Sequence, residues 1–359
     1  MRAIDFFCGT GGFSRGAHAA GFEVAAAFDI DPILTHSFGR NFPDTKLILT
    51  DISKLSAKVV RDYAGGQIDL IFGGPPCQGF SSIGRRNRND PRRRLLQSFF
   101  QLVADLGPRA FVMENVLGLG FKDAVSELDT ALARLPKSYK TMGPIVIDAS
   151  DFGSATKRKR LFLIGYDAAR CDPIAVEDIM ALKQPAATVA DALSGLSNIR
   201  DKRVSDDGFD GFRLSKNAKL TDYAARLVAA DRSTTGDMRT VHTPAVVARF
   251  GTVEPGQTDK VGRHQRLKWD GQCPTLRAGT GADMGSYQSV RPIHPSEDRV
   301  ITVREAARLQ GFPDDHLFHP TIWHSFRMIG NSVSPIVAEA VLSVVAAKLA
   351  SHSEARRAA

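Results

Sequence analysis

Six apolar runs of strand length, each separated from the next by a segment that reads as helix or turn, restrict the folds open to this chain. They are AIDFF at 3–7, EVAAAF at 23–28, KLILT at 46–50, IDLIF at 68–72, AFVM at 110–113 and RLFLIG at 160–165. Helical segments are expected between them at Ser14–Ala20, Pro32–Asn41, Ser53–Tyr63, Leu95–Leu106 and Ala124–Leu135. A strand buried on both faces reads as a continuous apolar run, and alternation with helices implies right-handed crossovers over a parallel sheet. The expected fold is α/β, a doubly wound, mostly parallel, Rossmann-like sheet with its ligands at the carboxyl ends of the strands.

From about residue 171 to 300 the pattern fades into Gly, Asp, Ser and Thr scattered among short apolar pieces, which predicts a smaller, irregular second domain. Helical periodicity returns at Thr302–Gln310 and at Val333–Leu349, where Ile336, Val337, Ala340, Val341, Val344 and Val345 form an apolar stripe. The tail SHSEARRAA is expected to fray.

With 359 residues the chain can bury about two domains' worth of core, and its 43% hydrophobic and 24% charged content is that of a globular protein. No uninterrupted apolar stretch approaches the roughly 18 residues of a membrane span, and no secretory leader is visible, so a cytoplasmic location is expected. Cys8, Cys77, Cys171 and Cys273 form no CxxC pair, which argues for reduced thiols and against a zinc site. His316, His319 and His324 lack an accompanying Cys or paired carboxylate, so no metal is expected. The net charge of +8 makes a polyanion a plausible partner.

DFFCGTGGFS at 5–14 places Gly9, Gly11 and Gly12 between the first strand and a helix, where backbone can approach a ligand and amides are free. Asp29, ending the second strand, is placed for a ribose hydroxyl pair, and Asp51, after the third, for an adenine amine. This much fits an adenosine-containing cofactor and leaves NAD and S-adenosylmethionine both open. In GGPPCQGFS at 73–81, two prolines and two glycines deliver Cys77 to the same edge. A lone cysteine is most often a small buried hydrophobe, but this placement reads as a nucleophile active as thiolate.

MENV at 113–116 brings Glu114 to that edge as a group that could protonate or hydrogen-bond a substrate. Arg158 and Arg160, in TKRKRLFLIG, are expected to present two guanidiniums on one face to an anionic or carbonyl-bearing substrate. GRRNRNDPRRR, directly after the thiol, sets six arginines against one aspartate, a formal +5 suited to a phosphate backbone.

Together these stretches resemble the bacterial-type DNA cytosine-5 methyltransferase family, over nearly the whole chain and in the family's order. FCGTGGFS looks like its cofactor loop, GGPPCQGFS its catalytic loop, MENV its glutamate motif and RKRLFLIG its paired-arginine motif. TVREAARLQGFPD and GNSVSP match its last two blocks.

The resemblance implies S-adenosylmethionine as cofactor, surrounded by Phe7, Gly9, Gly11, Asp29, Ile30, Asp51, Ile52 and Pro76 and closed by Asn331, Ser332 and Val333. It implies Cys77 as nucleophile, Glu114 as partner of cytosine's ring nitrogen 3 and amine, and Arg158 and Arg160 toward the flipped nucleotide. Ser81, Arg85, Arg86, Arg88, Arg92, Arg93 and Thr275 would contact double-stranded DNA. It further implies a catalytic domain over residues 1–172, completed by a helix within 322–359, and a target-recognition domain with hinge over 173–321. A monomer, with a restriction endonuclease or other defence proteins as partners, is the expected setting.

Ala155-Thr156 departs from the family's Pro-Gln before the arginine pair, and Cys8 and Thr10 replace its usual apolar residues around Gly9. A tRNA methyltransferase of the same fold is disfavoured because its Cys-Phe-Thr signature is missing. An NAD-dependent oxidoreductase would leave Cys77, Glu114 and the arginine pair unexplained. The intact thiol and glutamate argue against a catalytically inactive DNA-binding module.

Overall fold

A computed structural model describes residues 1–76, 93–120, 122–204, 208–279 and 291–358. Seven strands form one sheet: β1 Arg2–Phe6, β2 Glu23–Asp29, β3 Lys46–Leu49, β4 Leu70–Gly73, β5 Ala110–Asn115, β6 Tyr139–Asp148 and β7 Lys159–Asp167. Their order is β3-β2-β1-β4-β5-β7-β6. The first five strands run parallel, and β7 lies antiparallel to both β5 and β6. Every residue of β4 and β5 is buried, as the apolar runs require of strands covered on both faces. The order reverses between β1 and β4, and the crevice beyond their carboxyl ends is where such sheets bind ligands.

The helices of the first half are α1 Gly12–Ala19, α2 Phe38–Asn41, α3 Ala57–Ala64, α4 Arg93–Leu106 and α5 Lys122–Leu132. Beyond the sheet follow α6 Val176–Met180, α7 Val189–Leu193, β8 Ile199–Val204, β9 Asp210–Leu214, α8 Asp222–Leu227, β10 Ser233–Thr234 and α9 Pro244–Gly251. The strands β10-β9-β8 make a second, three-stranded sheet. The chain closes with α10 Val303–Gln310, α11 Ile322–Asn331 and α12 Pro335–Ala358.

Side-chain alternation divides the large sheet into two apolar layers. Ala3, Leu70, Phe72 and Val112 point to one face, where they pack with Phe13 and Ala17 of α1 and with Val337, Val341 and Val345 of α12. Ile4, Phe6, Ile71, Phe111 and Met113 point to the other, against Val60 of α3 and Leu96, Phe99, Phe100 and Val103 of α4. The α4 residues recur at i, i+3, i+4 and i+7, the apolar face of a helix. The stretch Ile322–Arg356 is long and apolar enough to cross a membrane by length and composition, but 56% of its apolar window is buried within this protein. Gly16 explains how closely α12 can pack: a Cβ there would stand 2.4 Å from Cβ of Ala338 and 2.5 Å from the amide nitrogen of Glu339.

The tail does not fray as expected, because α12 runs on to Ala358. Asp172 accepts hydrogen bonds from Ser351 and pairs with His352 at 3.1 Å, and Arg109 donates to Oγ of Ser353 at 2.9 Å, so polar ties hold the last turns. Two expected helices are also shorter. Over Pro32–Asn41 only Phe38–Asn41 is helical; Asp31 takes the amides of Ile33 and Leu34 at 2.9 and 3.1 Å in the turns that precede it. Over Ser53–Tyr63, a 3-10 turn at Ile52–Lys54 gives way to α3, whose first turn Ser56 caps.

α10 joins the two halves. Thr302 and Glu305 form a capping box at its start, and Gly311, with φ at 90°, ends it in the left-handed region. Arg308 forks onto Asp314 at 2.8 and 2.6 Å, both side chains at 0% exposure, and donates to the carbonyl of Ser194 at 2.7 Å. Removing one partner strands a buried charge, so Arg308→Met is expected to lower unfolding free energy by about 3–5 kcal/mol, read by urea denaturation. A loss below 1 kcal/mol would show that Asp314 is compensated by other groups.

A candidate active site at the carboxyl edge of the sheet

The loop after β1 turns on three left-handed residues: Phe7 at φ 64°, Gly9 at 50° and Gly11 at 87°. Phe7 and Cys8 both donate amides to the carbonyl of Phe28 at 2.8 and 3.2 Å, which presses the loop onto the end of β2. A Cβ on Gly9 would meet nothing within 4 Å, so the backbone there faces open space, whereas one on Gly11 would strike the Phe42 ring at 2.2 Å.

Asp29 ends β2 and accepts the amides of Gly9 at 2.8 Å and Asp31 at 2.9 Å. Burial raises its carboxyl above the usual range despite those amides. Next to it Ile30 is 67% exposed, a large apolar side chain left bare. Asp51 follows β3 and caps the 3-10 turn through Ser53 at 3.0 Å, hydrogen bonds from Ser53 lower its carboxyl, and Ile52 beside it is buried.

From the other end of the chain, Ser332 and Val333 come against the same loop. A Cβ on Gly12 would lie 1.9 Å from Oγ of Ser332 and 2.4 Å from the carbonyl oxygen of Val333. Asn331 is exposed beside them. Arg327 of α11 pairs with Asp31 at 2.7 Å, tying this block to the end of β2. Arg327 and Asp31 escaped the sequence reading, although Asp31 stands within FDID.

Glu114, second to last in β5, is 9% exposed and pairs with Arg160 of β7 at 3.0 Å. Burial raises its carboxyl, outweighing the opposite pull of Arg160 and Arg158. Gly74 leaves room beside it, since a Cβ there would stand 3.1 Å from Oε2 of Glu114. Asn115, another residue not singled out from sequence, donates to the carbonyl of Pro75 at 3.0 Å. The Gly74-Pro75-Pro76 segment is therefore held against Glu114.

Cys77 lies outside the described residues, as do Ser81, Arg85, Arg86, Arg88 and Arg92; Arg93 is the opening residue of α4. The other three cysteines are buried free thiols. Burial pushes Cys8 well up, Cys171 to about 11 and Cys273 upward as well, so none of the three is disposed to ionise.

The two arginines expected on one face part company. Arg160 joins Glu114, but Arg158 is buried and donates to the carbonyls of Leu276 at 3.1 Å and Gly330 at 2.8 Å. Burial, then the like charge of Arg160, pushes Arg158 down to about 9, still protonated at neutral pH. Thr275 spends its hydroxyl on the carbonyl of Lys157 at 2.6 Å. Ala155 and Thr156 are fully buried, and Thr156 donates to the carbonyl of Cys273 at 3.1 Å, so this departure from the family pattern is stitched to the 273–276 segment. His316 is buried among Thr10, Arg15 and Asn41, each at 3.2 Å, and among the described residues no three His, Cys, Asp or Glu side chains converge for a metal.

Residues 1–347 match the sequence pattern of the C-5 cytosine-specific DNA methylases. The type II methyltransferase M.XorII of Xanthomonas oryzae is 36% identical over 94% of this chain and 82% of its own length. M.AgeI of Thalassovita gelatinovora is 28% identical, covering 96% and 99%. Among solved structures, an Escherichia coli protein described as a prophage-encoded DNA modification methyltransferase superposes with a TM-score of 0.84 at 38% identity, over 98% of this chain and 99% of that one. Dnmt2 of S. pombe, at 19% identity and a TM-score of 0.65 over 96% and 98%, shares the fold.

Proposed function

The chain belongs to the C-5 cytosine-specific DNA methylases, a DNA cytosine-5-methyltransferase related to those of type II restriction-modification systems, and from that membership we propose its reaction and site. It transfers a methyl group from S-adenosylmethionine to carbon 5 of a cytosine flipped out of a specific duplex sequence, through a covalent adduct with Cys77. The observation that carries this reading is the pairing of buried Glu114 with half-buried Arg160 beside the Gly74–Pro76 segment, because that segment leads directly into the thiol.

The residues present fit the cofactor. Open space at Gly9, the buried Asp29 and the bare Ile30 make a cradle with one carboxylate and one apolar wall. Asp29 has lone pairs left after its two amide bonds and would hold the ribose hydroxyls. Phe7, Ile30 and Ile52 would flank the adenine and Asp51 would take its amine. Gly9 and Gly11 shape the loop, while Pro76 and Asn331, Ser332 and Val333 close the site. S-adenosylmethionine bound there supplies a methyl group made electrophilic by its sulfonium.

The chain's own residues do the rest. Carbon 5 of cytosine is a poor nucleophile, so the Cys77 thiolate adds to carbon 6 and makes carbon 5 enamine-like. Glu114, its carboxyl raised by burial, hydrogen-bonds or protonates ring nitrogen 3, where charge would otherwise collect. Arg160 would hold both Glu114 and the base carbonyl. After methylation the carbon-5 proton leaves to a base, the double bond reforms and the carbon–sulfur bond breaks. A stacked base cannot present this face, so the target leaves the duplex at a cost of a few kcal/mol.

Residues 1–172 with 322–359 act as the catalytic domain and 173–321 as the recognition domain. The protein works as a cytoplasmic monomer without a metal, with a cognate restriction endonuclease or other defence-system proteins as its partners. The test is base-resolution sequencing for 5-methylcytosine on plasmid from a methylation-free bacterial host expressing this chain. Modification at one short motif is expected; unmodified plasmid together with methylated host RNA would transfer the reading to an RNA substrate.

The arginines of 85–94 would meet phosphates. Replacing them with glutamine should flatten the slope of log affinity against log salt by roughly 0.9 for each phosphate that is no longer neutralised. An unchanged slope in a filter-binding titration would make the run a solvated face.

A further inference from the structure

Arg158 sits where three parts of the molecule meet, and its commitments there are to backbone. Its guanidinium is 3% exposed and donates one nitrogen to Leu276 and the other to Gly330. Leu276 belongs to the segment that ends the recognition region, with Thr275 bonded to Lys157 just before Arg158. Gly330 lies in the last turn of α11, which leads through Asn331 to Ser332 and Val333 against Gly12 of the cofactor loop. That turn and the recognition segment also touch directly, since a Cβ on Gly330 would lie 2.4 Å from the amide nitrogen of Ala278. Two residues along the chain, Arg160 pairs with Glu114.

A shift of the 275–278 segment on meeting a duplex would therefore pull on the same guanidinium that positions the cofactor-closing turn. A planar fork with several donors can serve two carbonyls at once in fixed geometry, which a lysine ammonium on a flexible stem cannot reproduce. We infer that Arg158 is a positioning residue that couples engagement of duplex DNA to closure of the cofactor site, by holding Leu276 and Gly330 on one guanidinium. The inference rests on the function proposed above.

Binding of S-adenosylhomocysteine is measured by calorimetry on the whole chain, without DNA and with a duplex carrying the motif found by sequencing. In the wild type the duplex should tighten binding on the order of tenfold, within the usual range of coupling between sites. Arg158→Lys should bring that ratio close to one while keeping the buried positive charge. Gly330→Ala, which wedges the turn away from Ala278 and leaves Arg158 in place, should do the same, and decides the matter alone if the lysine variant does not fold.

A residue that served only stability would lower the melting temperature and weaken both titrations alike, leaving the ratio intact. An intact ratio in folded Arg158→Lys, or in Gly330→Ala where the lysine variant does not fold, overturns the inference, as does a wild type whose two ligands bind independently. A wild type that binds neither ligand overturns the proposed function with it.

Discussion

Replacing Cys77 with alanine is expected to abolish methyl transfer, a loss on the order of 10⁴–10⁶-fold in single-turnover rate, as removal of a covalent nucleophile does in enzymes that depend on one. The reason lies in the acceptor. Without addition at carbon 6, carbon 5 has no electron pair to offer, and positioning alone cannot supply one. No other described thiol can stand in, because Cys8, Cys171 and Cys273 are buried with their ionisation pushed up. Binding of S-adenosylhomocysteine should persist, since the Asp29 and Gly9 cradle is untouched. Incorporation of labelled methyl into plasmid reads the first effect and calorimetry the second. A variant retaining even a tenth of wild-type transfer would remove the covalent route.

Glu114→Gln should lower the transfer rate by about 10²–10⁴-fold, the usual worth of a positioned proton donor. Glutamine keeps a donor and an acceptor for the ring nitrogen and amine but has no proton to give up, so DNA affinity should change far less than rate. The pH profile separates this role from packing. Burial raises the Glu114 carboxyl, so the wild type keeps its proton to higher pH than an ordinary glutamate and loses activity as pH rises through that raised value. The Cys77 thiolate demands the opposite, so the two together predict a bell. The glutamine variant should lose the alkaline limb and keep the acid one. If both limbs survive in Glu114→Gln, the alkaline limb belongs to another group.

The strands that build this site were legible because parallel strands buried on both faces leave continuous apolar runs, and β4 and β5 are buried at every residue. β6 was not foreseen. It lies at the sheet's edge, many of its side chains are exposed, and Gly143-Pro144 interrupts its register, so neither an apolar run nor a clean alternation marks it. That strand then turns the chain back, which is why β7 joins β5 antiparallel. The two arginines show a second limit: spacing of two assigns a common face, but Arg158 precedes the first residue of β7, where the strand's alternation does not yet bind it. Its partners, Leu276 and Gly330, are more than 100 residues away in sequence, and only the fold brings them to it.

The close seating of α1 on α12 at Gly16 and Ala338 bears on how the fold is completed. One face of the sheet is finished by a helix that begins at Pro335, far along the chain from the strands it covers. Phe13 and Ala17 of α1 cover part of the layer over Ala3, Leu70 and Phe72, and Val337, Val341 and Val345 add the share of α12. Until those α12 residues dock, the layer leaves apolar surface that a chaperone can grip.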